Sequence, residues 1–265
     1  MIESHRTALE PDPAPEDSAE WQALLAARSD APLPPASDSP LYALYGPFCA
    51  ARRNGSFAVG HLAQSLDGRI ATRNGMSRWL SGAEDLLHTH RMRAMCDAVV
   101  VGVNTVLSDD PQLTVRRCTG AHPVRVVIDP ERRLDGSQRI FHDGAAATLV
   151  LAAADRARGG EALARAEVVP VPRGEWGLDP REIRRILAQR GLSSLFIEGG
   201  GITVSRFLAA RALDRLQITV APLILGSGRP GILLPEIVDL RDSLRPGTRR
   251  FVLGNDVMIE CDFQG

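Results

Sequence analysis

LAQSLDGRIATRNGMSRWLSG (62–82), HRMRAMCDA (90–98) and VVVGVNTVLSDDPQLTVR (99–116) lie within one stretch from Leu62 to Arg116. The first piece opens as a strand and breaks at Ser65 into a loop with Asp67-Gly68 at its tip, a pair suited to a turn. The second reads as a helix, placed at about 82–95. The third starts with a run of β-branched residues, 98–102, closed by a glycine after which a helix can start. Strand, helix and strand in this order imply an α/β unit with parallel pairing.

The same rhythm extends outward. Short apolar runs at 57–63, 124–128, 148–152, 167–171 and 194–197 read as further strands. Helical stretches are expected at about 155–166, 179–190 and 202–212. Two longer strand candidates, 215–225 and 249–263, follow with no helix between them, so an antiparallel pair should close one edge. The expected fold class is α/β, a mainly parallel sheet flanked by helices with a C-terminal antiparallel strand pair.

Upstream, seven of the eighteen prolines fall in the first forty residues, in PDPAP (11–15) and APLPPASDSP (31–40). Proline lacks a backbone donor and restricts its predecessor, so these runs favour neither helix nor strand. Between them SAEWQALLAAR (18–28) reads as a short helix behind Ser18. Residues 1–54 are therefore read as a proline-rich extension with a short helix, and 55–265 as the main domain.

Lys+Arg of 31 against Asp+Glu of 32 leaves a formal net charge of -1, which gives no general pull towards nucleic acid or anionic membrane. Any anion site must come from a few placed arginines. Cys49, Cys96, Cys118 and Cys261 show no metal-ligand spacing, so no metal site is expected, and scattered thiols suit a reducing cytoplasm. Neither a secretory signal nor a run of about 18 apolar residues is visible, so a cytoplasmic location is expected.

EGGG (198–201) sits between an expected strand and an expected helix. Glycines there allow close backbone approach to a ligand, and the helix start offers unpaired amides at the positive end of its dipole. A tight packing turn would look the same.

Taken together, these blocks resemble the reductase domain of the bifunctional riboflavin-biosynthesis deaminase/reductase family. Its pattern of S-L-D-G-[KR], Ser-x-Trp, L-R-A and V-G-x-x-T-V-x-x-D-[DN]-P-x-L-T-x-R finds its elements here in order. A second block, SLFIEGGGITVSRFLAARALDRLQITVAPLILGSG (194–228), is similar to the family's strand–E-G-G–helix segment and next strand. The resemblance covers roughly residues 56–263.

The resemblance implies a dihydrofolate-reductase-like fold, a dimer, and hydride delivery from NADPH to C1′ of a ribosylamino-pyrimidine 5′-phosphate, turning ribosyl into ribityl. It places Ser77, Arg93, Leu113, Arg116 and Glu198 at the substrate. It places Ala63, Trp79, Thr105, Asp109 and the run Gly200, Gly201, Ile202, Thr203, Val204, Ser205 and Arg206 at the cofactor. Arg93 and Arg116, from different elements, would form a phosphate clamp; a solvated surface arginine is the plainer reading of each. Arg91, Arg117 and Arg125 lack that support and are assigned to the surface. Trp79 could equally be a core residue, and Thr105 could cap a helix. Two carboxylates, Asp67 and Glu198, are candidates for the acid, although a turn alone would explain Asp67. Where the family commonly has a Ser after the strand VRVVID, this chain has Pro130, which shifts recognition of a 2′-phosphate to Arg132 or Arg133.

Neither H-x-E nor P-C-x-x-C occurs, so no zinc deaminase is expected in this chain. The substrate could be the deaminated pyrimidine, its diamino precursor or another small heterocycle. A dihydrofolate reductase is the nearest enzymatic rival. A non-catalytic nucleotide-binding module is the rival from another class.

Overall fold

The computed structural model describes residues 18–28, 31–32, 39–53, 55–175 and 177–264. The run 11–15 and most of 31–40 lie outside the described residues. The chain forms α1 (Ala19–Arg28), α2 (Pro40–Arg53), β1 (Phe57–Ser65), β2 (Arg69–Thr72), α3 (Ala83–Met95), β3 (Ala98–Gly102) and α4 (Val103–Asp109). Next come β4 (Val124–Ile128), β5 (Thr148–Ala153), β6 (Ala162–Leu163), β7 (Ala166–Val171), β8 (Arg173–Gly174) and β9 (Gly177–Leu178). The last elements are α5 (Pro180–Gln189), β10 (Ser194–Glu198), α6 (Gly201–Ala209), β11 (Arg215–Ala221), β12 (Gly228–Pro230), β13 (Gly247–Leu253) and β14 (Asp256–Asp262).

Ten strands make one sheet in the order β13-β14-β11-β1-β10-β3-β4-β5-β7-β6. The run from β11 to β7 is parallel, and β14 pairs antiparallel with β11. Ala98, Val99, Val100 and Val101 are completely buried, as an unbroken apolar run should be when helices cover both faces of a parallel strand. Each of these valines contributes roughly 1.5–3 kcal/mol of burial. One face carries α1 to α4, whose Trp21, Tyr45, Phe48, Met92 and Val106 join one core cluster. The other carries α5 and α6 with Ile183, Leu187, Val204 and Phe207.

Sequence and structure part at several places. The helix expected at 155–166 does not form, because Gly159-Gly160 interrupts it, and β6 pairs back on β7 instead. The candidate 249–263 is itself a hairpin: the chain reverses at Gly254, whose φ of +63 suits a tight turn, so β13 and β14 lie side by side. The candidate 215–225 stops at Ala221, ahead of Pro222.

The helix read at 18–28 is α1, and a second helix, α2, follows it. Trp21 packs edge-on against Tyr45 and donates from Nε1 to the Thr119 carbonyl at 3.0 Å. Arg28 donates to the carbonyls of Met95 and Cys96, closing the end of α3. Two arginines assigned to the surface are inside. Arg125 is 1% exposed, bonding Asp143, Thr148 and the carbonyls of Ile140 and Ala146. Arg91 lies half-buried over the Trp21 ring.

Candidate active site

The crossovers decide where a ligand can sit. From β3 the chain passes through α4 towards β4. From the adjacent β10 it passes through α6 in the opposite direction, to β11, and the two helices lie on opposite faces. Ligands of open α/β sheets bind in the crevice at the carboxyl ends of such a diverging pair.

Both helices begin there on glycine caps, Gly102 and Gly200, with no side-chain cap at either. In α6 the amides of Gly201 and Ile202 have no acceptor among the described residues, whereas that of Thr203 donates to the Gly200 carbonyl at 2.9 Å. Space is tight: a Cβ on Gly102 would stand 2.6 Å from Thr203 Oγ1, and one on Gly200 would stand 3.3 Å from Thr105 Oγ1. Gly199 (φ +59) and Gly200 (φ +63) take the left-handed conformation that glycine adopts without strain. Two bare helix starts meeting in one crevice fit a diphosphate.

Only the first turn of α6 faces that crevice. Gly200 and Thr203 touch the α4 side, and Ile202 is half exposed. Val204 belongs to the core, Ser205 Oγ accepts from the Leu233 amide at 2.8 Å, and Arg206 lies against Gly177 of the β8–β9 turn. Gly201 has no room for a side chain because the Pro230 and Gly231 carbonyls cover it. Thr105 sits inside α4 and does not cap it.

Beside the cradle, α3 supplies the polar groups. It turns the polar and charged Asp85, His88, Thr89, His90 and Arg93 inward. Arg93 meets Glu198 with two hydrogen bonds, Nε to Oε2 at 2.8 Å and Nη2 to Oε1 at 2.5 Å, and its Nη1 donates to the Thr114 carbonyl at 3.0 Å. Its guanidinium is therefore engaged within the protein.

Arg116 is more open, with Nη1 on Thr114 Oγ1 at 2.6 Å. Burial depresses its pKa first, and Arg93, Arg139 and Arg117 add to the shift. This gathering of cations, opposed by Glu198, favours a bound dianion. Arg139 was absent from the sequence reading.

The loop bearing Arg116 is held by two histidines the sequence reading also missed. His90 Nδ1 accepts from the Arg116 amide at 3.0 Å, and His122 Nδ1 accepts from Val115 at 3.2 Å. Burial, then Arg93, Arg116 and Arg117, push His90 down to about 3, so its ring stays neutral and accepting. Leu113, in the same loop, is buried with φ +54. A further buried pair joins α3 to β1: His61 Nε2 lies 3.2 Å from Asp85 Oδ1, which also accepts from Thr219. His61 stands beside Glu198 in the β1–β10 register.

The remaining candidates separate. Asp67 accepts from Ser65 Oγ and from the amides of Leu225 and Gly226. The Ser65 bond and the Leu225 amide hold it down at about 2. It ties the β1–β2 turn to the loop after β11 and has no proton to give. Asp109 is raised by burial, partly offset by Arg229, which also packs against Gly75. Trp79 is 70% exposed with φ +67, which excludes a core role, and Ser77 is exposed in the same irregular segment. Ala63 lies near the end of β1, opposite Thr219 of β11.

A mainly parallel sheet with a glycine-capped cradle at its switch point, and an arginine–carboxylate cluster beside it, defines an α/β protein with a ligand crevice at the carboxyl ends of its strands. The RibD C-terminal domain model matches residues 58–244, and the chain belongs to that family. It is 36% identical over 217 residues to the 2,5-diamino-6-ribosylamino-4(3H)-pyrimidinone 5′-phosphate reductase of Methanothermobacter thermautotrophicus, covering 79% of this chain and 99% of that one. It is 34% identical to the riboflavin biosynthesis protein RibD of Aquifex aeolicus, over 63% of this chain but 46% of that protein, so it spans less than half of that relative. The crystal structure of a diaminohydroxyphosphoribosylaminopyrimidine deaminase/5-amino-6-(5-phosphoribosylamino)uracil reductase from Thermotoga maritima superposes with a TM-score of 0.68 at 27% identity, covering 82% of this chain and 59% of that one.

Proposed function

We propose that this chain reduces the ribosyl group of 2,5-diamino-6-ribosylamino-4(3H)-pyrimidinone 5′-phosphate to ribityl, with NADPH as reductant. The observation that carries this reading is the 36% identity to the archaeal reductase over 99% of that protein's length. The deaminated uracil analogue is the second reading, favoured by the likeness to the Thermotoga maritima structure.

NADPH would supply hydride to C1′ of the ring-opened imine, whose nitrogen takes up a proton. The amides at Gly200 and Ile202, with the Thr105 hydroxyl, hold the diphosphate side. Arg116, with Arg139 and Arg117 nearby, holds the substrate phosphate. Arg93 holds Glu198 so that its carboxylate accepts from the ribosyl hydroxyls. Leu113 and Ser77 line the substrate side, while Ala63, Trp79 and Asp109 stand towards the nicotinamide side. Arg133, whose Nη1 donates to Asn104 of α4 at 2.7 Å, is the cation for the 2′-phosphate; Arg132 is paired with Glu161.

The protein acts as a homodimer in the cytoplasm in this reading. Exposed Leu233, Ile237, Val238, Leu240 and Leu244 support a second copy there, and no helix among the described residues is long and apolar enough to cross a membrane. The test is NADPH consumption with each of the two pyrimidines. Faster turnover of the diamino compound is expected, and turnover of the deaminated compound alone would favour the second reading.

A further inference from the structure

The opposite ends of the strands carry a second concentration of cations. A cavity of about 320 Å³ there is lined by Ser56, Arg181, Arg184, Arg185 and Arg211, among others. Ser56 immediately precedes β1, and Arg211 lies in the turn before β11, whereas Glu198 and the glycine turn follow β10. β1 alone has nine residues. At ~3.3 Å per residue it separates the two ends by about 30 Å. This cavity is not part of the site described above.

The guanidiniums differ in how far they are occupied. Arg184 forms a fixed wall, donating to the Ala212 and Ser56 carbonyls, to Ser56 Oγ and to Asp214 at 2.9 Å. Arg181 donates from Nε to the Ala210 carbonyl at 2.8 Å, which leaves its two Nη groups without a hydrogen bond among the described residues. Arg185 meets Glu182 through Nε and Nη2. The Arg211 side chain makes no hydrogen bond or ion pair among the described residues. Its backbone is left-handed, with φ +51, where glycine would be the unstrained choice.

Capping the carbonyl end of α6 explains Arg181 Nε and Arg184. It does not require Arg211 or the remaining donors of Arg181 and Arg185. Among the described residues the four guanidiniums pair with only two carboxylates, Glu182 and Asp214, in a chain whose net charge is -1. Cations converging on a concave surface without matching carboxylates are what a phosphate dianion needs. The volume sits at the small end of ligand pockets, which run from about 300 Å³. That suits a phosphate with one sugar-sized group better than a dinucleotide.

We propose that this cavity is a second anion site, which takes the phosphate group of a small phosphorylated molecule between Arg181, Arg185 and Arg211. It is independent of the catalytic reading, and α6 is the rigid element that runs from the cofactor turn to it.

The test is calorimetric titration at fixed ionic strength with inorganic phosphate and with ribose 5-phosphate. Arg116→Ala weakens the anion contact of the catalytic cleft, and the part of the remaining binding that the cavity variants remove reports the cavity. In that background Arg211→Gly, which relieves the backbone and removes the charge, should weaken ribose 5-phosphate binding about ten- to a hundredfold. Arg181→Gln should act in the same direction. Ribose 5-phosphate binding at least as tightly as inorganic phosphate supports an organic phosphate ligand. No phosphate binding in the Arg116→Ala protein, binding indifferent to both cavity variants, or binding of inorganic phosphate alone overturns the proposal.

Discussion

Arg93 and Glu198, 105 residues apart in the chain, meet through two hydrogen bonds of 2.8 and 2.5 Å and lock α3 to the carboxyl end of β10. Because Arg93 also donates to the Thr114 carbonyl, one side chain fixes three elements around the proposed sugar site. Removing one partner of a buried pair leaves the other uncompensated. Arg93→Ala is expected to lower stability by roughly 3 kcal/mol in urea unfolding. Arg93→Lys keeps the charge without the planar fork, so it should fold better than Arg93→Ala while still losing at least about tenfold in kcat/KM. Equal kcat/KM for wild type and the lysine variant would show that the fork does not serve the site.

Arg116 contributes through the substrate phosphate. Arg116→Ala should raise KM for the phosphorylated substrate by an amount equivalent to roughly 1.5–3 kcal/mol and change KM for the dephosphorylated form far less. Equal losses on both would remove Arg116 from the phosphate site.

Gly201 tests the cradle. A Cβ there would stand 2.8 Å from the Pro230 carbonyl oxygen and closer still to that of Gly231, both backbone atoms. Gly201→Ala must push the 230–233 segment away from α6, so both Tm and NADPH affinity, read by fluorescence titration, should fall. Unchanged affinity would place the cofactor elsewhere.

His90 should make the protein acid-sensitive. Its folded pKa lies at about 3, below the ordinary 6.5, so the unfolded chain binds the proton more readily. The stability it contributes is fully present above pH 6.5 and is lost as the pH falls towards 3. Urea unfolding at pH 7 and pH 5 (within that window) should show a loss that shrinks in His90→Gln. An identical loss in the variant would mean that His90 does not carry the effect.

Much of the fold was legible because parallel strands buried on both faces leave unbroken apolar runs, as in AVVVG (98–102), and because EGGG punctuates the strand–helix junction. The hairpin inside 249–263 was harder to see, since the apolar runs around Val252 and Val257 are interrupted by just three residues, Gly254-Asn255-Asp256. Where a motif singled out residues, as for Glu198, Arg93 and Arg116, the structure brings them together. It was not legible where a contact is purely tertiary. Nothing in HTHRMR (88–93) says that His90 will accept an amide from residue 116, or that Arg93 will be held by a carboxylate before any substrate arrives. Arg125 shows the same limit: an arginine inside VRVVI looks solvated until its acceptors, gathered from residues 140–148, are placed around it.

Hydride transfer to the sugar can be followed by isotope labelling. The protein would be given NADPH deuterated at C4 of the nicotinamide together with the diamino ribosylamino-pyrimidine 5′-phosphate, and the product examined by NMR. Deuterium at C1′ of a ribityl chain is the expected result. Deuterium in the pyrimidine ring, or consumption of neither compound by the folded protein, would contradict it.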